Sequence, residues 1–221
     1  VLFVIPSKGP IIDIFVENNL QYIVLPFYKW IRQNNIFKAL IKGCYYRVAN
    51  LSLALRLHRI LKKMNMNPVL VYSNTIVFGM GILFSLIYRI PHIQHIRENV
   101  YTFGMKFFFG YSITLKMISA FSKMIICTCR SVRDVYLPLV KKGNITYQYN
   151  GIPITDKPKM YGASINQEIV CFIVVARLDE DKRIMDVAKA VKILLDRKIR
   201  NFRVDVYGEG SQRADIEQYI T

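Results

Sequence analysis

Apolar positions along this chain alternate between short strand-like runs and longer segments with helical spacing. Runs rich in Val, Ile, Phe and Tyr predict strands at 1–5, 21–25, 69–73, 92–96, 124–128, 145–149, 169–176 and 202–207. Between them, helical periodicity predicts helices at 11–18, 30–64 with a break, 76–88, 104–122, 131–141, 183–198 and 210–220. Ser131 with Asp134 three residues on resembles a capping box. Strands and helices that alternate with short loops predict an α/β fold built on doubly wound parallel sheets. The run 169–176 is apolar without alternation, as in a strand buried on both faces.

One stretch raises a different possibility. Pro68 to Tyr88 carries no charge, and about 20 apolar residues can cross a bilayer. Ser73-Asn74-Thr75 interrupts it, so the preferred reading is a strand, a polar loop with an N-cap, and a buried helix from Ile76. Gly79 and Gly81 would let that helix pack closely. The chain opens without Met on Val1-Leu2-Phe3-Val4-Ile5, a strand rather than a signal peptide.

Charge divides the chain in two. The net charge of +16 resides entirely in residues 1–167, which hold 21 Lys and Arg against 5 acids, whereas residues 168–221 hold 10 of each. Glu17 and Glu98 are separated by no other acid. We therefore expect a domain over 1–152, a linker over 153–167 beginning near the Asn150-Gly151 turn, and a second domain over 168–221. With 52% hydrophobic residues, disorder is excluded.

A basic half suits nucleic acid, an anionic membrane surface or a phosphorylated substrate. No nucleic-acid motif is present. Residues 27–66 interleave Trp30, Phe37, Leu40, Ile41, Leu51, Leu55 and Leu57 with Lys29, Arg32, Lys38, Lys42, Arg47, Arg56, Arg59, Lys62 and Lys63. That pattern fits either a helix lying on anionic lipid or a helix packed on a sheet with a basic solvent face. Cys44, Cys127, Cys129, Cys171 and the three histidines have no metal-ligand spacing, so the cysteines are expected to be reduced core residues and no metal site is expected.

The chemistry concentrates after the apolar run. Arg177 and Lys182 follow its carboxyl end, where parallel sheets bind ligands, and together they suit a diphosphate. This Arg-x4-Lys spacing resembles the signature of glycosyltransferase family 4. Pro91-His92-Ile93-Gln94-His95-Ile96-Arg97-Glu98 resembles that family's P-x-x-x-H-x-R-E segment, and residues 125–136 resemble the strand and helix that follow it. Residues 145–152 resemble the strand and Asn-Gly hinge closing its first domain, and 204–210 its strand ending in G-x-G.

The resemblance implies a GT-B fold of two Rossmann-like domains, the second incomplete, and retaining transfer from a nucleotide sugar (UDP- or GDP-linked) without a required metal. Arg177 and Lys182 would stabilise the leaving diphosphate, Gly208 and Gly210 would line the donor site, and His95 would hold donor sugar or acceptor hydroxyl. Without the resemblance, a His in an apolar strand such as His95 is more often a packed, hydrogen-bonded core residue. Arg97 and Glu98 would bind an acceptor phosphate or pair with each other. The implied acceptor is a glycan, expected to be lipid-linked, used in surface polysaccharide synthesis at the inner face of the cell membrane.

Several features depart from the family pattern. The first strand with its Gly-rich loop and the E-x7-E segment have no counterpart, Arg183 stands where the family usually has Gly, and Ala176 precedes Arg177 in place of Gly. These departures lead us to expect a fragment of a longer enzyme, inactive by itself. Two other readings remain: a non-catalytic membrane-associated binding module, and a dinucleotide-dependent oxidoreductase, for which Gly208-Glu209-Gly210-Ser211-Gln212-Arg213 lacks the third Gly.

Overall fold

The computed structural model describes residues 1–32, 36–100, 106–140, 143–151 and 169–220. The chain divides into two compact units, Val1–Pro153 and Ile154–Thr221. The expected linker lies outside the described residues.

In the first unit, β1 (Leu2–Ile5) leads through α1 (Ile11–Glu17) to a parallel partner, β2 (Gln21–Val24). A short strand β3 (Ile31–Arg32) then precedes the long helix α2 (Ile36–Lys63). Next come β4 (Val71–Ser73), α3 (Met80–Tyr88), β5 (His92–Ile96), β6 (Lys106–Phe107) and α4 (Tyr111–Phe121). The unit ends with β7 (Met124–Cys127), α5 (Arg130–Tyr136), a 3-10 turn Leu137–Leu139, and β8 (Ile145–Tyr147). Strands β4, β5, β7 and β8 form a parallel sheet in that order. The second unit pairs β9 (Val170–Val175) in parallel with β10 (Phe202–Tyr207), with helices α6 (Ile184–Asp196) and α7 (Arg213–Ile220).

Two apolar clusters support the first unit. Ile96, Leu115, Ile118, Ile125, Cys127 and Tyr136 fill one, between the four-stranded sheet and helices α4 and α5. The other joins Leu57 and Leu61 of α2, Met80 and Phe84 of α3, Leu25, and the β1–β2 pair through Leu2, Val4 and Ile23. From Tyr45 onward the described side chains of α2 bury one stripe, with Ala54, Leu57 and Leu61, and leave Val48, Leu55, Arg59 and Lys62 in solvent.

The structure departs from the sequence-based expectations at long-range contacts. Trp30 is not helical: its Nε1–H donates to the Ile76 carbonyl at 2.5 Å and its ring packs on the sheet cluster. The neighbouring β3 pairs antiparallel with β6, where a helix from 104 was expected. Helix α3 starts at Met80 rather than Ile76, because Thr75 and Ile76 are engaged elsewhere and Phe78 bridges Lys29. Its Gly81 faces Ser73 so closely that a Cβ would collide with the hydroxyl oxygen. No side chain caps α5, and Asp134 instead pairs with Arg130 and Arg133.

The second unit also differs. Among the described residues its sheet holds β9 and β10 alone, and Ile173 and Val175 are 67% and 78% exposed, rather than buried on both faces. Cys171 on the same strand is exposed and not a core residue; Cys127 is buried, and burial pushes its thiol up to about 12.

Strand β5 lies inside the sheet yet carries His92, Gln94 and His95, all buried. Such groups are tolerable only when hydrogen-bonded. His92 Nε2 meets Ser73 Oγ at 2.9 Å and its Nδ1 meets Ser122 Oγ at 2.9 Å, joining β4, β5 and the end of α4. Burial lowers the His92 pKa from 6.5 to about 4. The unfolded imidazole takes its proton near pH 6.5 and the folded one only near pH 4, so the unfolded state binds more protons between them. Stability should therefore fall as pH drops through that window, by roughly 3 kcal/mol from this group. Urea unfolding at stepped pH checks this: the difference between the parent protein and His92→Gln should shrink on acidification, and a constant difference would contradict it.

Candidate functional site

The carboxyl edge of the four-stranded sheet collects the first group of candidate residues. His95 sits on β5 with 8% of its surface exposed. Its Nδ1 lies 2.6 Å from the Tyr72 hydroxyl of β4, whereas Nε2 is buried without a hydrogen-bond partner. A buried unsatisfied ring nitrogen costs about 1–3 kcal/mol. Burial first, and then the Arg97 guanidinium, hold the His95 pKa below the usual imidazole range, with Glu98 opposing. The ring is therefore neutral at neutral pH.

Arg97 and Glu98, just beyond β5, do not pair through their side chains. The Arg97 guanidinium donates to Asn74 Oδ1 at 3.4 Å and to Asn150 Oδ1 at 3.1 Å. Both acceptors are neutral, and Arg97 forms no ion pair with a carboxylate among the described residues. Among the described residues its charge is thus oriented without a carboxylate partner, as suits an anion-binding arginine.

Glu98 turns back into the fold. It accepts from Thr75 Oγ1 at 2.6 Å and from the Ile76 N–H at 3.3 Å. Its carbonyl accepts from the Tyr136 hydroxyl at 2.7 Å, and that hydroxyl in turn accepts from the Val100 N–H at 3.1 Å. Gln94 adds a bond from Nε2 to the Thr75 carbonyl at 2.7 Å. Together these bonds fasten the loop after β4, which carries Asn74, to the end of β5.

The second group lies at the carboxyl ends of β9 and β10. Arg177 is 67% exposed on its side chain and pairs with Asp179 at 2.5 Å and Asp181 at 3.5 Å; Lys182 pairs with Asp181 at 3.4 Å. Exposed pairs of this kind contribute about 0–1 kcal/mol, so both cations can exchange partners at little cost. Asp179 is itself held below the usual carboxylate range, first by the Ser211 N–H and hydroxyl and then by Arg177. Both Ser211 bonds to Asp179 measure 3.1 Å.

Gly208 and Gly210 have a backbone reason to be glycines. The segments after β9 and β10 run against each other: Leu178 N–H donates to Glu209 O at 2.9 Å, and Gln212 N–H to Leu178 O at 2.8 Å. A Cβ on Gly210 would lie 2.5 Å from the Leu178 carbonyl carbon and oxygen, and one on Gly208 would strike the Ala176 carbonyl. The pair thereby holds the Arg177 loop against the start of α7. Arg183, where the resemblance places Gly, has φ of 55°, a left-handed conformation that costs a side-chain-bearing residue about 1–2 kcal/mol.

Sequence reasoning proposed His95, Arg97, Glu98, Arg177, Lys182, Gly208 and Gly210. Within their own units, the structure brings the first three to one sheet edge and the last four to another. It adds Tyr72, Asn74, Asn150, Asp179 and Ser211. Asn74 and Asn150 were visible as loop residues, but nothing local marks them as holding one guanidinium.

A scan against protein-family models and a search of curated proteins each find no match. Solved structures do match. TarM from S. aureus, crystallised as a variant with fondaparinux, alpha-GlcNAc-glycerol and UDP, superposes with a TM-score of 0.55 at 17% identity. That match covers 77% of this chain and 34% of TarM. A second TarM crystal structure gives 0.54 at 16% identity, over 77% and 33%. The chain spans about a third of the length of these structures. The likeness establishes the fold, an α/β architecture of the Rossmann-like GT-B type.

Replacing Gly210 by Ala should loosen the contact between the two loops by about 2–3 kcal/mol, the cost of overpacking against rigid backbone. Hydrogen exchange at the Leu178 and Gln212 amides measures it. Acceleration confined to the second unit is expected, and unchanged protection would show that the contact needs no glycine.

Proposed function

We propose that this chain is part of a glycosyltransferase resembling family 4, moving a sugar from a nucleotide-sugar donor to a glycan acceptor. The observation that carries the reading is the pair Arg177 and Lys182 at the carboxyl end of β9, weakly engaged, beside loops held together at Gly208 and Gly210. A likeness of fold to TarM, crystallised with UDP and alpha-GlcNAc-glycerol, supports it.

When the bond between the anomeric carbon and the diphosphate breaks, negative charge grows on the leaving oxygens. Arg177 and Lys182 stabilise that charge, Arg as a planar fork and Lys as a point charge, which lowers the barrier because the charge exists mainly in the transition state. Asp179 and Asp181 hold the two cations until the diphosphate replaces them. Transfer proceeds with retention, from a UDP- or GDP-linked sugar, with these cations in the role a metal plays elsewhere.

On the first unit, Arg97 binds a phosphate of the acceptor, His95 holds a sugar or acceptor oxygen, and Glu98 keeps the loop bearing Asn74 in place. The acceptor is lipid-linked, in assembly of a surface polysaccharide. Helix α2 supports a location at the inner face of the cell membrane: Tyr45, Val48, Leu51 and Leu55 are exposed beside exposed Arg56, Arg59, Lys62 and Lys63. Apolar insertion plus attraction to anionic lipid would hold such a face at the surface. Among the described residues no helix is long and apolar enough to cross a membrane.

The test is sugar transfer or donor hydrolysis by the intact gene product, with radiolabelled UDP- and GDP-sugars. Arg177→Ala and Lys182→Ala should each lower kcat about 10²–10³-fold, as loss of one fixed charge at a developing anion does elsewhere. Turnover that survives both substitutions would defeat the assignment.

A further inference from the structure

Arg97 joins the two outer strands of the sheet. Its guanidinium donates from Nη1 to Asn74 Oδ1, in the loop after β4, and from Nη2 to Asn150 Oδ1, just after β8. In the order β4-β5-β7-β8, one arginine following β5 therefore spans the carboxyl edge. Arg97, Asn74 and Asn150 are all exposed, so an ion in solvent reaches them, and all belong to the first unit.

The two amides are held very differently. Asn74 sits between Ser73, which bonds His92 and Gln94, and Thr75, which bonds Glu98 and Gln94. Asn150 lies beyond the last backbone hydrogen bond of its strand end among the described residues, from Gln148 N–H to the Cys127 carbonyl at 2.8 Å. Tyr149 beside it is 60% exposed, and a Cβ on Gly151 would stand in open space. The 3.1 Å bond from Arg97 is what ties Asn150 back to the sheet edge. A neutral amide is a weaker acceptor than a phosphate oxygen, whose bonds to a guanidinium are charge-assisted and roughly twice as strong. A phosphate that takes the guanidinium fork bidentately needs the Nη2–H that Asn150 occupies.

We propose that Asn150 competes with phosphate for Arg97, so that an anion bound there releases residues 149–151 at the end of the first unit. This rests on the reading of Arg97 as a ligand of the acceptor phosphate and adds what its occupancy does. The coupling acts both ways: the hold of Arg97 on Asn150 weakens phosphate binding by the same factor by which phosphate weakens that hold. The boundary of the unit follows at Pro153, so filling the acceptor site frees the chain where it leaves the unit.

The test is titration of the 15N-labelled full chain with inorganic phosphate at constant ionic strength. The Arg97 Nε–H and the Asn150 side-chain amide are assigned by their loss in Arg97→Ala and Asn150→Ala. As the Arg97 signal shifts, the Asn150 amide should move to the position it holds in Arg97→Ala, and the amides at 149–151 should exchange faster. Asn150→Ala should bind phosphate at Arg97 roughly two- to tenfold more tightly, the weight of one net hydrogen bond. Unchanged or weaker binding in that variant overturns the proposal, because Asn150 would then be a bystander or a co-ligand. So does an Asn150 amide that stays in place while Arg97 fills.

If phosphate leaves the Arg97 signal unmoved, the acceptor reading of Arg97 falls and this proposal with it, whereas Arg177 and Lys182 answer to their own assay. Titration with UDP separates the sources of the anion. Release of Asn150 by phosphate alone keeps the site with the acceptor; release by UDP at the same or lower concentration moves it to the donor and overturns the acceptor assignment.

Discussion

The structure of the first unit depends on one constraint: an interior strand, β5, carries three buried polar side chains that must all find partners. In a parallel sheet a buried polar side chain with no bond at all is too costly to keep. Each of the three makes at least one, although Gln94 Oε1 and His95 Nε2 stay unpaired. Ser73, Ser122, Thr75 and Tyr72 supply the bonds, and each comes from a neighbouring strand, helix end or loop rather than from β5 itself. Satisfying β5 therefore also fixes the end of β4, the loop after it and the end of α4. The site is a by-product of that bookkeeping: with the loop after β4 held by Glu98, Asn74 is in place to orient Arg97.

The second unit solves the same problem with backbone. Its two βα segments are bonded to each other through Leu178, Glu209 and Gln212, at a separation that only glycine at 208 and 210 permits. Side chains then decorate a rigid base: Asp179 bridges Ser211 and Arg177, and Asp181 bridges Arg177 and Lys182. Two exposed cations that pair, among the described residues, only with Asp179 and Asp181 are well suited to a more highly charged ligand.

Much of this was legible in the sequence, and the failures share one cause. Strands such as 92–96 and 202–207 were readable because β-branched residues and flanking turns are local signals. The need for glycine at 208 and 210 was readable too, although the reason proved to be contact with Ala176 and Leu178. By contrast, β3 and β6 are two-residue strands that exist only because they meet each other, and neither has a local pattern. Glu98 looked free to pair with Arg97, yet its partners, Thr75 and Ile76, lie more than twenty residues earlier in the chain. The apolar run of β9 predicted burial on both faces, which a two-stranded sheet cannot provide. Tyr72 went unnoticed because a tyrosine on a strand carries no sign of which side chain its hydroxyl will meet.

Binding of UDP to the 15N-labelled chain, followed residue by residue, tests the central claim most directly. The account predicts perturbation of the Arg177 guanidinium and of the amides at 177–183 and 208–211, weakening with added salt as a charge-dominated contact should. Perturbation confined to the basic face of α2, or none in the second unit, would contradict it.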